Sequence, residues 1–198
     1  MIKTILFDWH GVLDKRKFQG IEEMISSWKG TLHSDSKKDL ETFGQDYARG
    51  ILPSYILWEN LKKKFDLNRN LINELKEYIT GTEINQELWS FLPELKQRYT
   101  LGVLSDCPSE KKTLILSSHF NDISLFDKTF WSCDYRLLKS DPKFFFIALN
   151  GLNTTPNQCL FVDDSEKNTK YAQELEIHTH VYRSFEDFKE FIKEFNPS

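Results

Sequence analysis

Three short apolar runs in this chain stop on an oxygen-bearing side chain: Ile5-Leu6-Phe7-Asp8, Leu101-Gly102-Val103-Leu104-Ser105 and Leu160-Phe161-Val162-Asp163-Asp164. Runs that are apolar throughout, rather than alternating with polar residues, suit strands buried on both faces, as central strands of parallel sheets are. Strand patterns also fall at 128–132 and 177–182, and single helical stretches separate all of them after residue 84. This predicts right-handed crossovers and an α/β fold, a Rossmann-like parallel sheet with helices on both faces. All carboxyl ends of such a sheet share one edge, where open α/β sheets bind their ligands. Asp8, Ser105, Asp163 and Asp164 are thereby expected to converge, although on its own segment Asp8 serves equally well as a turn former beside Gly11.

From Lys15 to Thr82 the pattern is helical only. Phe18, Ile21, Met24, Ile25 and Trp28 recur at three- and four-residue steps; so do Leu40, Phe43 and Tyr47 within 36–48. A third helix is expected near Pro53, carrying Ile56, Leu57, Leu61 and Phe65, and a fourth through Leu71, Ile72, Leu75 and Ile79 to Gly81. The expected organisation is an α/β core of 1–14 and 84–198 with a four-helix cap, 15–83, inserted in it. Within the core, helices are expected through Leu88 to Leu95, from Pro108 to His119, after Asp141-Pro142, through Tyr171 to Leu175, and from Phe185 to Phe195.

A net charge of -4, from 26 basic and 30 acidic residues, gives no basic surplus, so neither nucleic acid nor an anionic membrane is an expected partner. The three cysteines, Cys107, Cys133 and Cys159, lack the paired spacing of zinc or redox motifs and are expected to be reduced thiols of a cytoplasmic protein. The apolar run Phe144–Leu149 falls far short of the roughly 20 residues of a membrane span. Asp8 and His10 interrupt the first apolar stretch, which therefore does not read as a signal peptide.

Three carboxylates at one sheet edge repel one another unless a cation neutralises them, and hard oxygen ligands suit Mg²⁺. Lys139, in the loop after 128–132, could balance charge and contact an anion, and the Ser105 hydroxyl could donate to a phosphoryl oxygen. Metal, cation, hydroxyl donor and a carboxylate able to attack phosphorus are the parts of a phosphoryl-transfer site.

With these residues in place, the chain resembles the haloacid dehalogenase superfamily of hydrolases over nearly its whole length. The superfamily's first motif is similar to Asp8-Trp9-His10-Gly11-Val12, its second to Leu104-Ser105, its third to Lys139-Ser140-Asp141-Pro142, and its fourth to Phe161-Val162-Asp163-Asp164 with Asn168. The helical block resembles the cap of the subgroup containing sugar-phosphate phosphatases and dehalogenases. The resemblance implies Asp8 as nucleophile and Mg²⁺ ligand, the His10 carbonyl and Asp163 as further ligands, Asp164 in support, Ser105 on the phosphoryl group, and Lys139 orienting Asp8. A small phosphorylated metabolite, a sugar phosphate or similar, would be the substrate, under a cap that excludes water.

One position departs from the pattern. Superfamily phosphatases carry Asp two residues after the nucleophile, as acid and base; this chain has His10, where resembling phosphonatases carry Ala and dehalogenases Tyr. An imidazole can move both protons, with a pKa near 6.5, so a phosphatase with His10 as acid/base is expected to titrate near neutrality. The alternatives are phosphonatase or dehalogenase chemistry, a catalytically weak phosphate- or partner-binding relic, and, on fold grounds alone, a receiver domain, which the inserted helices argue against. Phe18, Trp28, Tyr47 and Arg49 could reach substrate, though helical spacing favours packing for the aromatics. His178 and His180 are expected as a packed or surface pair, Cys107 as a bystander, and Asp14 and Asp106 as turn or cap residues.

Overall fold

The computed structural model describes residues 1–17, 20–118 and 122–195; Phe18 and His119 lie outside them. Five strands form one all-parallel sheet: β1 Thr4–Phe7, β2 Thr100–Ser105, β3 Lys128–Trp131, β4 Cys159–Asp163 and β5 His178–Val181, in the order β3-β2-β1-β4-β5. The earliest strand is central. Thr4 lies opposite Thr100 on one side and Cys159 on the other, and Asp8 N still donates to Val162 O at 2.9 Å, so the pairing carries the chain straight into the acid.

Both faces of the sheet are buried, as the unbroken apolar runs require. Ile5, Phe7, Leu101, Val103, Leu160 and Val162 pack beneath α5 (Gln86–Lys96), α6 (Ser109–Ser117) and α10 (Phe185–Phe195). Leu6, Leu104, Phe130 and Phe161 face α8 (Pro142–Gly151) and α9 (Glu166–Gln173). A short helix, α7, spans Ser132–Tyr135 where the sequence suggested that β3 continues. Asp141 caps α8 through the Lys143 amide at 2.9 Å, the role its Asp-Pro sequence predicts.

The inserted stretch forms α1 Ile21–Lys29, α2 Ser34–Ala48, α3 Ser54–Phe65 and α4 Arg69–Thr80. Their apolar faces, including Ile25, Leu40, Leu57, Leu61, Leu75 and Ile79, close on one another in a cluster of their own. α2 and α4 also touch the rest of the molecule. The Ser132 hydroxyl donates to Ala48 O at 2.6 Å, and Tyr47 Oη donates to Glu110 Oε2 at 2.8 Å.

Two connecting segments lie side by side where the helical block leaves the sheet. Lys15 N donates to Glu83 O at 2.6 Å, Asn85 N to Leu13 O at 3.1 Å, and the Trp89 indole to Leu13 O at 2.9 Å. Between them Lys111 of α6 is fully buried against Asp14, Nζ to Oδ2 3.2 Å. It also donates to Thr80 O, Gly81 O and Thr82 Oγ1, placing an ammonium at the C-terminal end of α4, where the helix dipole favours positive charge. Asp14 and Lys111 thus hold the crossing between the two parts together.

A candidate active site at the carboxyl edge of the sheet

Parallel pairing brings Asp8, Ser105, Asp163 and Asp164 to one edge. Oxygens of Asp8, Asp163 and Asp164 all lie within 4.8 Å of one another. Gly11 makes the approach possible: its φ is +73°, a conformation side chains resist, and a Cβ there would sit 2.2 Å from Asp164 Cγ. The turn after β1 therefore allows the Asp164 carboxylate to lie against its backbone.

Lys139 stands at the centre. Its Nζ lies 2.8 Å from Asp8 Oδ1 and 2.6 Å from Asp163 Oδ2, while its own amide donates to Asp106 Oδ1 at 3.0 Å. Burial works against the ammonium, yet Asp163, Asp8 and Asp106 together hold its pKa above the ordinary lysine range. The loop from β3 is thereby fixed at both ends of one residue. Asp106, expected only as a turn or cap residue, is the acid that fixes the lysine's backbone; its position directly after the second strand end was the available signal.

Asp163 is held from its other side by the Ser165 amide at 2.8 Å and by Asn168 Nδ2 at 3.1 and 3.2 Å. Burial pushes its carboxyl up to about 6 despite Lys139, and nearby Asp8 adds to the rise. Asp8 and Asp164 are raised as well, first by burial; Lys139 opposes this at Asp8, and the charge of Asp163 reinforces it at Asp164. Asp8 Oδ1 also accepts the Trp9 amide at 2.6 Å. One ammonium against three converging carboxylates leaves the cluster short of positive charge, with Lys17 reaching only the rim, 3.9 Å from Asp164. That deficit, with an all-oxygen donor set, fits a hard divalent cation.

Ser105 is completely buried at the end of β2. Its hydroxyl lies near enough to Asp8 to favour the charged form, but it makes no hydrogen bond of good geometry among the described residues. A buried hydroxyl in that condition is ready for an acceptor.

His10 is the surprise. Burial, reinforced by the cations Lys111, Lys139 and Arg16, pushes its pKa down to about 3, so the imidazole is neutral at physiological pH instead of titrating near 6.5. Its ring faces a cleft lined by Ile21, Gly44, Tyr47, Ala48, Ile79, Asp106 and Pro108. Lys111, whose charge reaches it, carried no sequence signal, because the pair Lys111-Lys112 looks like any solvated helix face.

The remaining candidates fall outside the site. Cys107 is buried with its thiol pushed well up by burial, the reverse of an activated nucleophile. His178 is exposed and meets the Phe195 ring edge to face, while His180 is buried with its ring tilted over Phe191 and Asp187 3.2 Å away.

Residues 2–175 match a hydrolase family described as haloacid dehalogenase-like hydrolase. A predicted HAD-like family hydrolase of Porphyromonas gingivalis shares the fold, with TM-score 0.76 and 23% identity over 100% of this chain and 99% of that one. A HAD family enzyme of Bacteroides thetaiotaomicron, solved in complex with magnesium and inorganic phosphate, superposes with TM-score 0.75 at 21% identity, covering 96% and 99% of the two chains. A 2-haloacid dehalogenase of Pseudomonas syringae pv. Tomato DC3000 has TM-score 0.62 at 17% identity over 99% and 100%. No curated protein matches the sequence. Among the described residues, no helix is long and apolar enough to cross a membrane.

Proposed function

We propose that this chain, which belongs to the haloacid dehalogenase-like hydrolases, is a Mg²⁺-dependent phosphatase of a small phosphate monoester, working through an aspartyl-phosphate on Asp8. The observation that carries this reading is the convergence of Asp8, Asp163 and Asp164 within 4.8 Å around Lys139. The magnesium and phosphate held by the Bacteroides enzyme of the same fold support it.

Asp8, Asp163 and Asp164 would hold the cation, with the His10 carbonyl as a further ligand. Bound there, Mg²⁺ supplies charge neutralisation for the carboxylates and the phosphoryl oxygens. A carboxylate oxygen of Asp8 forms the new bond to phosphorus as the ester P–O bond breaks, and the departing oxygen takes its proton from solvent water, leaving hydroxide that is neutralised when His10 later sheds the proton it gains in the second half. Lys139 keeps Asp8 ionised and aimed, and the Ser105 hydroxyl donates to a phosphoryl oxygen. In the second half, water attacks the phosphorus of the acyl phosphate, its proton passes to the neutral His10 imidazole, and the Asp8 carboxylate is released. We take residues 15–83 as a cap over this edge and 1–14 with 84–198 as the catalytic core, the Ala48–Ser132 and Tyr47–Glu110 hydrogen bonds marking the closed form. Closure would keep bulk water from the acyl phosphate.

The test is a panel of phosphate monoesters assayed with Mg²⁺, with EDTA, and with Asp8→Asn. Turnover that needs the metal and drops at least about 10³-fold in Asp8→Asn is expected, since the nucleophile has no substitute. Turnover surviving both changes would remove the reading.

A further inference from the structure

The phosphoryl end of the site is polar and charged, but the space beyond His10 has a different character. Its walls are Ile21 at the start of α1, Gly44, Tyr47 and Ala48 on one face of α2, Ile79 of α4, and Pro108. Three of these wall residues, Ile21, Tyr47 and Ile79, are no more than 5% exposed. The cleft encloses only about 30 Å³, enough for a small group and well below the volume of a drug-sized ligand site.

Its polar groups are few, and most are engaged or belong to the chemistry, one oxygen of Asp106 remaining as an acceptor. The Tyr47 hydroxyl donates to Glu110, Asp106 accepts the Lys139 amide, and His10 stands beside the nucleophile. A sugar leaving group would bring several hydroxyls into this space and leave most of them without partners, which is unfavourable for each one. An alkyl or aryl group meets the walls on equal terms and is favoured by its removal from water.

Gly44 makes the room. It lies within α2, where alanine would be the better helix former, and a Cβ built there meets no atom within 4 Å. The helix therefore keeps open a volume that any larger side chain would enter.

We propose that this cleft takes a small apolar leaving group, so that the substrate is a phosphate monoester of a small alkyl or aryl alcohol rather than of a sugar, with Gly44 setting the permitted size. This rests on the phosphatase reading, and it replaces the sugar phosphate that the resemblance alone implied.

Non-hydrolysable phosphonates separate the two claims. With Mg²⁺ present, methyl-, ethyl-, propyl- and butylphosphonate are titrated calorimetrically against inorganic phosphate. Affinity should rise about fourfold per added methylene, the equivalent of ~0.8 kcal/mol for each buried CH₂, until the cleft is full. Gly44→Leu should weaken butylphosphonate at least tenfold while phosphate stays within about twofold. In turnover, butyl or phenyl phosphate should exceed hexose phosphates at least tenfold in kcat/KM. Affinities flat with chain length, or a preference for hexose phosphates, on a protein that binds phosphate would overturn this proposal and leave the phosphatase standing. If Gly44→Leu does not fold, the chain-length series on the unaltered protein decides. Failure to bind phosphate or any phosphonate, with no ester turned over, would remove both claims.

Discussion

At His10, position and protonation are decided by different neighbours. The turn after β1 puts the ring over the cleft, while burial and the charges of Lys111, Lys139 and Arg16 keep it neutral down to about pH 3. In the unfolded chain the same side chain takes up its proton near 6.5. Between those values the unfolded state binds the extra proton, so the His10 contribution to stability is present above about 6.5 and is lost as the pH falls. The residue as a whole keeps some exposure, which tempers the effect to on the order of 1 kcal/mol between pH 6.5 and 5. Urea unfolding of metal-free protein should show His10→Gln gaining by that amount on the unaltered chain when the pH is lowered from 7 to 5. An equal difference at both pH values would place the ring in water. At this scale Asp8, Ser105, Asp163, Asp164 and Lys139 were legible, because strand ends and one loop fix where they go. The neutrality of His10 was not, since it depends on Lys111, whose burial no local pattern reveals.

The elements show the same division. Helices with strong apolar periodicity fell where their spacing put them: Phe185–Phe195 matches to the residue, and α3 and α4 end at Phe65 and Thr80. α7 did not, because four residues make one turn and one turn has no periodicity to detect. Lys111 belongs to this scale, for it joins α6 to the end of α4 and to Asp14. Lys111→Met would leave Asp14 buried without its partner and should cost about 3–5 kcal/mol in chemical denaturation. Adding Asp14→Asn should recover part of that loss, since the stranded charge is what makes the single change costly. A loss under about 1 kcal/mol in the single variant would mean that the pair is solvated.

Across the whole molecule, the helical block and the rest of the chain meet through polar contacts that include Ser132 Oγ to Ala48 O at 2.6 Å. Ser132→Ala removes that bond, worth about 1 kcal/mol, and also takes away the acceptor of the buried Cys107 amide at 2.8 Å. Amide hydrogen exchange near the end of α2 and at Cys107 should then quicken about fivefold, with the central strands β1 and β4 unchanged. Uniformly faster exchange would show a loss of global stability instead. The sheet's edge and the inserted helices were both legible as patterns of strand and helix; how the helices seat on the edge was not, because it depends on side chains such as Tyr47 and Glu110 that meet only in three dimensions.

The central place of β1 has a consequence for how the protein is made. Its partners in register, Thr100 and Cys159, lie far downstream, so at the ribosome the first strand emerges long before either neighbour exists. The helices that follow it close on a cluster of their own and can collapse in the meantime. Contacts of such long sequence separation form late. Asp8 is thus synthesised well before its surroundings, and the cluster it forms with Asp163 and Asp164 cannot assemble until β4 has been translated.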